Sequence, residues 1–400
     1  MISKEWKIFI SRRKSSYCRS TINDNDETFL QINDLPPSES ILRFSVGSEH
    51  CAFLCSDGSV YGLGNNSGHQ ICELQRGEFS VPTKMKWLPP IFDLCCGSSF
   101  TLYLLEHNNR VIISNRSRNP YKKLDIMEPA VGIFSSIDPW IVGESGAFYF
   151  YDYDYTRSMK KFGPLHGGAP RQIISSECSV IVVTSSGDAL GMSMKNIRDD
   201  GCFSHDCKVV CENEDTFVPI ESLRGIKIKK VAGYYSHFLA LSEDNQVFAF
   251  GNNEYGQLGV GDTIDRYNGF VRVTCCEDEK IVDIAAGRHY SILVDSSGYI
   301  WELGRTKEEM LEKKEVLMSK LEGAVAVHCG EYFTIIETGQ TPINNDSYRV
   351  TPIINHEKLA LDQDLNPLNN QIPQIDRKMK TEIYNLGKMN SINEERIKNW

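Results

Sequence analysis

Four hundred residues with 41% hydrophobic and 24% charged side chains give an ordinary globular composition, long enough to bury a core without covalent staples. Forty-three basic against 53 acidic residues leave a formal charge of −10. That balance argues against coating nucleic acid or an anionic membrane, where phosphate binding relies on clustered Lys and Arg. No run approaches the ~18–20 apolar residues of a membrane-spanning helix, and Arg12-Arg13-Lys14 interrupts the N-terminus before any secretory core. Thirteen scattered cysteines read as buried free thiols rather than a disulfide framework, so the expected compartment is the cytoplasm or the nucleus.

In chain order, the first element is a lone apolar strand, Trp6-Lys7-Ile8-Phe9-Ile10-Ser11. A repeated unit follows, beginning with Val46–Gly64: a small-residue corner, an apolar strand, a turn at Asp57-Gly58, and a second strand ending in Gly. Leu102–Leu105 turns at Asn109 into Val111, Trp140–Val142 at Gly146 into Phe148, and Val180–Val183 at Gly187 into Ala189. The clearest copies are Val231–Gly251, turning at Asn245, and Ala285–Gly304, turning at Gly298. Phe333–Ile336 turns at Gly339 and has no second strand. The seven turn positions are separated by 51, 37, 41, 58, 53 and 41 residues. Gly and Asn share them because a tight hairpin needs positive φ. Short strands with glycine turns at this period predict propeller blades. The predicted fold is therefore an all-β, seven-bladed β-propeller over residues 1–340, closed by the N-terminal strand, which supplies the strand missing from the seventh copy and hides two open edges.

The longest motif is Gly251-Asn-Asn-Glu-Tyr-Gly-Gln-Leu-Gly-Val-Gly-Asp262. With Gly251, Asn253, Gly256, Gln257, Leu258, Gly259, Gly261 and Asp262 in place, it closely resembles the repeat of the regulator of chromosome condensation family. The first copy keeps part of it in Gly64-Asn-Asn-Ser-Gly-His-Gln-Ile-Cys72, read as one residue shorter and without the last Gly. The resemblance covers residues 1–340 as an architecture and is strong over 226–304. It implies seven four-stranded blades, chain ends meeting in one blade, and faces that bind proteins. The family's founder is a nuclear exchange factor for the small GTPase Ran; other members sit in ubiquitin ligases, vesicle traffic, cilium-linked GTPase regulation and the cytoskeleton. The basic tail of the chromatin-bound founder has no counterpart here, so no direct nucleic-acid partner is expected.

No catalytic or cofactor constellation emerges, and Gly251–Gly261 leads into a loop rather than the helix N-terminus a phosphate site needs. Cys202, His205, Cys207 and Cys211 form the one Cys/His cluster, but their spacing is not a standard zinc knuckle, so the expectation is a polar loop without metal. His50, His237 and His289 recur near the start of repeated strands, and a ring nitrogen bonded to the neighbouring blade's backbone is the expected role. Arg12–Lys14 with Arg19 and Lys227–Lys230 read as short solvated runs. The long insert at about 193–223 lacks the alternating pattern of a wedge hairpin. Residues 341–400 form a polar linker and tail, with Ile375, Met379, Ile383 and Leu386 at the spacing of a short amphipathic helix. The expected protein is a monomeric, non-enzymatic binding module that inserts in no membrane. It regulates a small GTPase or acts as a scaffold. Exchange on a Ran-like GTPase, or the substrate-binding part of a ubiquitin-ligase pathway, are the alternatives.

Overall fold

The computed structural model describes residues 7–12, 30–37, 40–71, 76–86, 88–106, 108–115, 121–152, 158–165, 168–176, 179–193, 216–304, 316–331 and 333–339. The Cys202–Cys211 group, Arg13, Lys14, Arg19 and the pattern at 375–386 lie outside them. The chain divides into a unit spanning Met1–Ile353 and a second, Ile354–Trp400.

Seven four-stranded antiparallel sheets make up the first unit. From inner to outer strand (A to D), blade one is Ile41–Val46, His50–Cys55, Val60–Asn65 and Glu78–Lys84. Blade two is Ile91–Cys96, Thr101–Leu105, Val111–Ser114 and Lys122–Leu124. Blade three is Ala130–Ser135, Pro139–Gly143, Phe148–Tyr151 and Met159–Phe162. Blade four is Pro170–Ser175, Ser179–Thr184, Ala189–Ser193 and Val218–Pro219. Blade five is Ile228–Tyr234, His237–Ser242, Val247–Gly251 and Arg266–Arg272. Blade six is Ile281–Ala286, Ser291–Asp295, Tyr299–Leu303 and Val316–Lys320. Blade seven joins Ala324–Cys329 and Phe333–Thr338 to Lys7–Arg12 and Leu30–Gln31.

The B strands are buried along their whole length in His50–Cys55, Ser179–Thr184 and His237–Ser242. Each lies between its own sheet neighbours and the adjoining blades, which is why the repeats read as continuous apolar runs. All seven turn positions take positive φ: Gly58 +75°, Asn109 +52°, Gly146 +79°, Gly187 +81°, Asn245 +63°, Gly298 +81° and Gly339 +135°. The N-terminal strand pairs with Phe333–Thr338 from Lys7↔Thr338 to Arg12↔Phe333, and Ile8 is fully buried in a cluster with Phe44, Phe53 and Ile335. The N-terminus also supplies the outermost strand, Leu30–Gln31, which two exposed residues gave no way to foresee. The insert expected at 193–223 is shorter than read: Val218–Pro219 is the outer strand of blade four and Glu221–Leu223 a 3-10 turn with Leu223 buried.

One feature recurs in every blade. The A strand carries a bulge at its second residue, so the ladder jumps from Ile41 to Arg43, Ile91 to Asp93, Ala130 to Gly132, Pro170 to Gln172, Ile228 to Lys230, Ile281 to Asp283 and Ala324 to Ala326. A bulge re-aims side chains, and in blades one, two, four, five and six the residue after it meets an adjoining blade; in blades three and seven that residue is Gly132 or Ala326. Arg43 Nε donates to Asp93 Oδ1 at 2.9 Å and to the Leu94 carbonyl at 2.9 Å. Gln172 exchanges two 2.8 Å bonds with the Val231 backbone. Asp283 accepts from Lys230 Nζ at 2.8 Å and from the Val327 N–H at 2.8 Å, so one carboxylate joins blades five, six and seven.

Two predictions follow from this architecture. Deleting residues 1–14 removes the C strand of blade seven and the buried Ile8, and is expected to cost several kcal/mol; a truncated protein that melts with the full chain defeats the closure. Asp283→Ala removes the carboxylate that the buried Lys230 ammonium and the Val327 N–H share and is expected to cost ~3–5 kcal/mol in urea unfolding. The double change Lys230→Met with Asp283→Leu is expected to cost less than that single one.

Candidate protein-binding face

The up-and-down order of strands sorts the loops onto two faces. A–B turns and C–D loops share one, here the A–B face; B–C turns and D–A connections share the other, the B–C face. The Gly251–Asp262 motif is the C–D loop of blade five and lies on the A–B face.

That loop is knitted by its own side chains. Asn253 Oδ1 accepts from the Leu258 N–H at 2.9 Å, and its Nδ2 donates to the Asp262 carbonyl at 2.7 Å. Gln257 Oε1 accepts from the Tyr255 N–H at 2.9 Å, and its Nε2 donates to Asn252 Oδ1 at 2.7 Å. Asp262 accepts from the Ile264 N–H at 2.9 Å and from Arg266 at 2.6 Å, and these two, in that order, hold its carboxyl below the usual range. Asn253, Gln257 and Leu258 are fully buried, Leu258 between blades five and six. Gly251, Gly256, Gly259 and Gly261 all have positive φ, and a Cβ on Gly259 would press within 2.7 Å of Leu303 and 2.9 Å of Cys275.

The first copy is in register with this loop, not one residue short. Asn66 Oδ1 accepts from Ile71 N–H at 3.0 Å and Gln70 Oε1 from Gly68 N–H at 2.8 Å, the same bonds at the same spacing. His69 stands at the Gly256 position with φ +60°; a residue type that rarely takes that conformation hid the match.

His50 and His237 occupy equivalent places at the head of their B strands. Each meets the next blade through a side chain, His50 Nε2 lying 2.9 Å from Thr101 Oγ1 and His237 Nε2 2.9 Å from Ser291 Oγ, and also engages its backbone, at Phe100 and Tyr290, as the sequence led us to expect. Those hydroxyls return to the first blade's loop by donating to the carbonyls of Gln70 at 2.6 Å and Gln257 at 2.8 Å. Burial pushes His50 down to about 4 and His237 down to about 3. His289 does not belong with them. Ser291 pairs Leu303, which puts Tyr290 in the histidine place, and its hydroxyl donates to the Phe333 carbonyl at 2.8 Å.

His289 sits one residue earlier, on the surface. Its ring lies 4.9 Å from Tyr255 and 5.7 Å from Tyr235, the Arg288 guanidinium stacks 4.8 Å over Tyr235, and Arg288 Nη1 donates to Glu331. Partial burial first, and Arg288 second, lower the His289 pKa, against the opposing pull of Glu254 and Glu331, so its imidazole is neutral near pH 7. Tyr235 is a half-buried aromatic residue at φ +53°, a conformation that costs of order 1–3 kcal/mol and collects at functional sites. The signal in the sequence was the replacement of the small corner Gly47-Ser48-Glu49 by Tyr234-Tyr235-Ser236.

The A strands of all seven blades line a central cavity of about 150 Å³. Its Arg43–Asp93 and Lys230–Asp283 charges are tied up in ion pairs between blades. At the A–B end Tyr234 of blade five bonds Ser48 of blade one across the channel. The seven described cysteines are free thiols; burial pushes Cys96 up to about 12 and Cys51 and Cys95 well up. Among the described residues no group of three or more His, Cys, Asp or Glu is placed to hold a metal. No described helix is long and apolar enough to cross a membrane.

Blade geometry, ring closure and the knitted loop define a propeller that offers its function on loops around a rigid ring. The chain is a seven-bladed propeller carrying repeats of the regulator of chromosome condensation family: residues 228–257 and 244–294 match models described as "Regulator of chromosome condensation (RCC1) repeat". It is 26% identical over 280 residues to the Arabidopsis thaliana ultraviolet-B receptor UVR8, covering 68% of this chain and 54% of that one. It is 38% identical over 88 residues to the probable E3 ubiquitin-protein ligase HERC4 of Homo sapiens, covering 22% of this chain and 8% of that one. The chain thus spans about half or less of the length of these relatives. Among solved structures it is similar in fold to Prp20p of Saccharomyces cerevisiae, with TM-score 0.65, 16% identity, and coverage of 86% of this chain and 93% of that one.

The histidines yield a prediction with a definite sign. In the unfolded chain His50 and His237 take up protons near pH 6.5; in the fold they resist until about pH 4 and 3. The unfolded state therefore binds more protons as pH falls below 6.5, and stability falls by about 1.4 kcal/mol per unit for each group. Urea midpoints are expected to drop steadily from pH 7 to 5, with a shallower slope in His237→Gln; an equal slope in that variant removes His237 from the effect.

Proposed function

We propose that the protein is a binding module whose A–B face docks a protein partner, and that it works as a scaffold or as a regulator of a small GTPase. The observation that carries this reading is the Tyr235–Tyr255–Arg288–His289 cluster. It gathers Tyr and Arg, the residue types that anchor protein interfaces, on a rigid frame, and one of them is held in a strained backbone conformation. The eight motif residues, Gly251, Asn253, Gly256, Gln257, Leu258, Gly259, Gly261 and Asp262, are given the supporting role: their polar atoms turn inward and shape the loop that presents Tyr255. The names of similar proteins bear on partner class. The Prp20p structure is described with its binding to Gsp1p and histones, and HERC4 as a probable ubiquitin ligase.

An exchange factor must bind the nucleotide-free GTPase more tightly than the loaded form, because only that difference expels nucleotide. A scaffold needs no such preference. Release of labelled GDP from Ran is expected to be unchanged by catalytic amounts of this chain in stopped flow; a hundredfold acceleration replaces the scaffold reading with exchange. Asn tolerates the left-handed conformation, so Tyr235→Asn is expected to melt within about 3 °C of the parent. Proteins held by the parent on an affinity column and lost from both Tyr235→Asn and Arg288→Glu identify the docked partner. A retained set identical in all three proteins moves the interface off this cluster.

A further inference from the structure

The opposite face has a different chemistry, and the proposal for it stands independently of the A–B reading. With Tyr234 bridged to Ser48 at the A–B end, the A strands begin at the B–C end of the channel, and each carries its bulge at its second residue there. Five of the bulge residues are apolar, Leu42, Phe92, Val131, Val282 and Val325; Phe92, Val131 and Val282 pack in part against the cores between blades, and Leu42 is the exposed one. The other two spend their charge on neighbouring backbone, Arg171 on the carbonyls of Ile228 and Lys229, and Lys229 on the Val282 carbonyl at 3.0 Å. Leu42 is 38% exposed, and Met127, in the D–A connection between blades two and three on the same face, is 93% exposed.

Around this end of the channel the described B–C turns and D–A connections carry fourteen acidic residues against five basic ones. Asp57, Glu106, Glu144, Asp188, Glu243 and Glu322 are among them, and all fourteen except Glu128 are exposed. Two of the five cations are already paired, Arg224 with Glu221 at 2.7 Å and Lys227 with Asp188 at 2.7 Å. A concentrated field of one sign steers and orients a ligand of the other, and exposed apolar side chains inside a polar rim mark a docking surface. The same field repels phosphate backbones and anionic lipid.

We propose that the B–C face docks a basic protein segment, rich in Lys or Arg, which seats a large apolar side chain at the channel mouth. The carboxylate annulus supplies attraction and orientation, and Leu42 and Met127 supply the apolar contact.

The test uses the full chain and three synthetic twelve-residue peptides in fluorescence anisotropy at 150 mM salt. One carries net charge of about +4 with two leucines, one replaces each basic residue by Glu, and one keeps the charge but replaces each Leu by Ser; these are chosen as opposite poles of charge and apolarity. The basic, Leu-bearing peptide is expected to bind, the acidic one not at all, and the Ser peptide at least about fivefold more weakly. Glu144→Lys with Glu243→Lys is expected to weaken the first peptide about tenfold or more, and Met127→Ser, at a fully accessible site that folding does not need, by a few-fold. Glu49→Lys with Glu78→Lys, at the A–B end of blade one, is expected to change it less than about twofold. Failure of the basic peptide to bind, equal binding of the acidic one, or equal losses from the two charge reversals overturns the proposal.

Discussion

A ring of sheets stands or falls at the seams between blades, because each blade alone leaves both faces of its sheet bare. The recurring bulge in the A strands is the constraint that meets this need. By shifting the alternation at one fixed residue, it turns the next side chain sideways to the seam in five of the seven blades, Gly132 and Ala326 standing there in the other two. Arg43 thereby reaches Asp93, Gln172 reaches the Val231 backbone, and Asp283 holds Lys230 and the Val327 N–H at once. The bulged residues themselves stand at the start of the A strands, on the B–C side, where Leu42 is exposed while Phe92, Val131 and Val282 pack in part against the cores between blades.

A second layer of bonds lies further out. His50 and His237 meet Thr101 and Ser291 in the following blades, and those hydroxyls return to Gln70 and Gln257 in the preceding loops. Position by position these links use buried neutral groups, which accounts for the depressed imidazole pKa values. Where the histidine is replaced, as at Tyr290, the phenol hydroxyl takes over the crossing to blade seven. The polar atoms of the motif loops are thus committed to architecture, while Tyr235, Tyr255, Arg288 and His289 gather on the surface of the A–B face.

The two faces divide the labour of the molecule by chemistry. The A–B face gathers aromatic rings and one Arg–Glu pair around a bridged channel end. The B–C face carries exposed carboxylates on its turns and connections, with Leu42 and Met127 exposed among them. Short turns on a rigid ring make both surfaces preorganised, which lowers the ordering cost of binding for whatever docks there.

The chain itself determined the ring: Gly or Asn at seven turn positions, B strands with apolar interiors, and a seventh copy lacking a strand that Trp6–Ser11 could complete. These are local properties, written in turn chemistry and hydrophobic runs. Tertiary structure decided the rest. The equivalence of His69 to Gly256 rests on backbone conformation, not on residue type. That His289 is a surface residue while Tyr290 fills the histidine place follows from strand register, which a one-residue offset in the corner conceals. The bulge leaves no motif, because Arg43, Asp93, Gln172, Lys230 and Asp283 share a place in the ring but no common chemistry until their partners from neighbouring blades stand beside them. The cluster of Tyr235, Tyr255, Arg288 and His289 with Glu331, too, joins loops from blades five, six and seven, and only the closed ring brings residues separated by some fifty positions into contact.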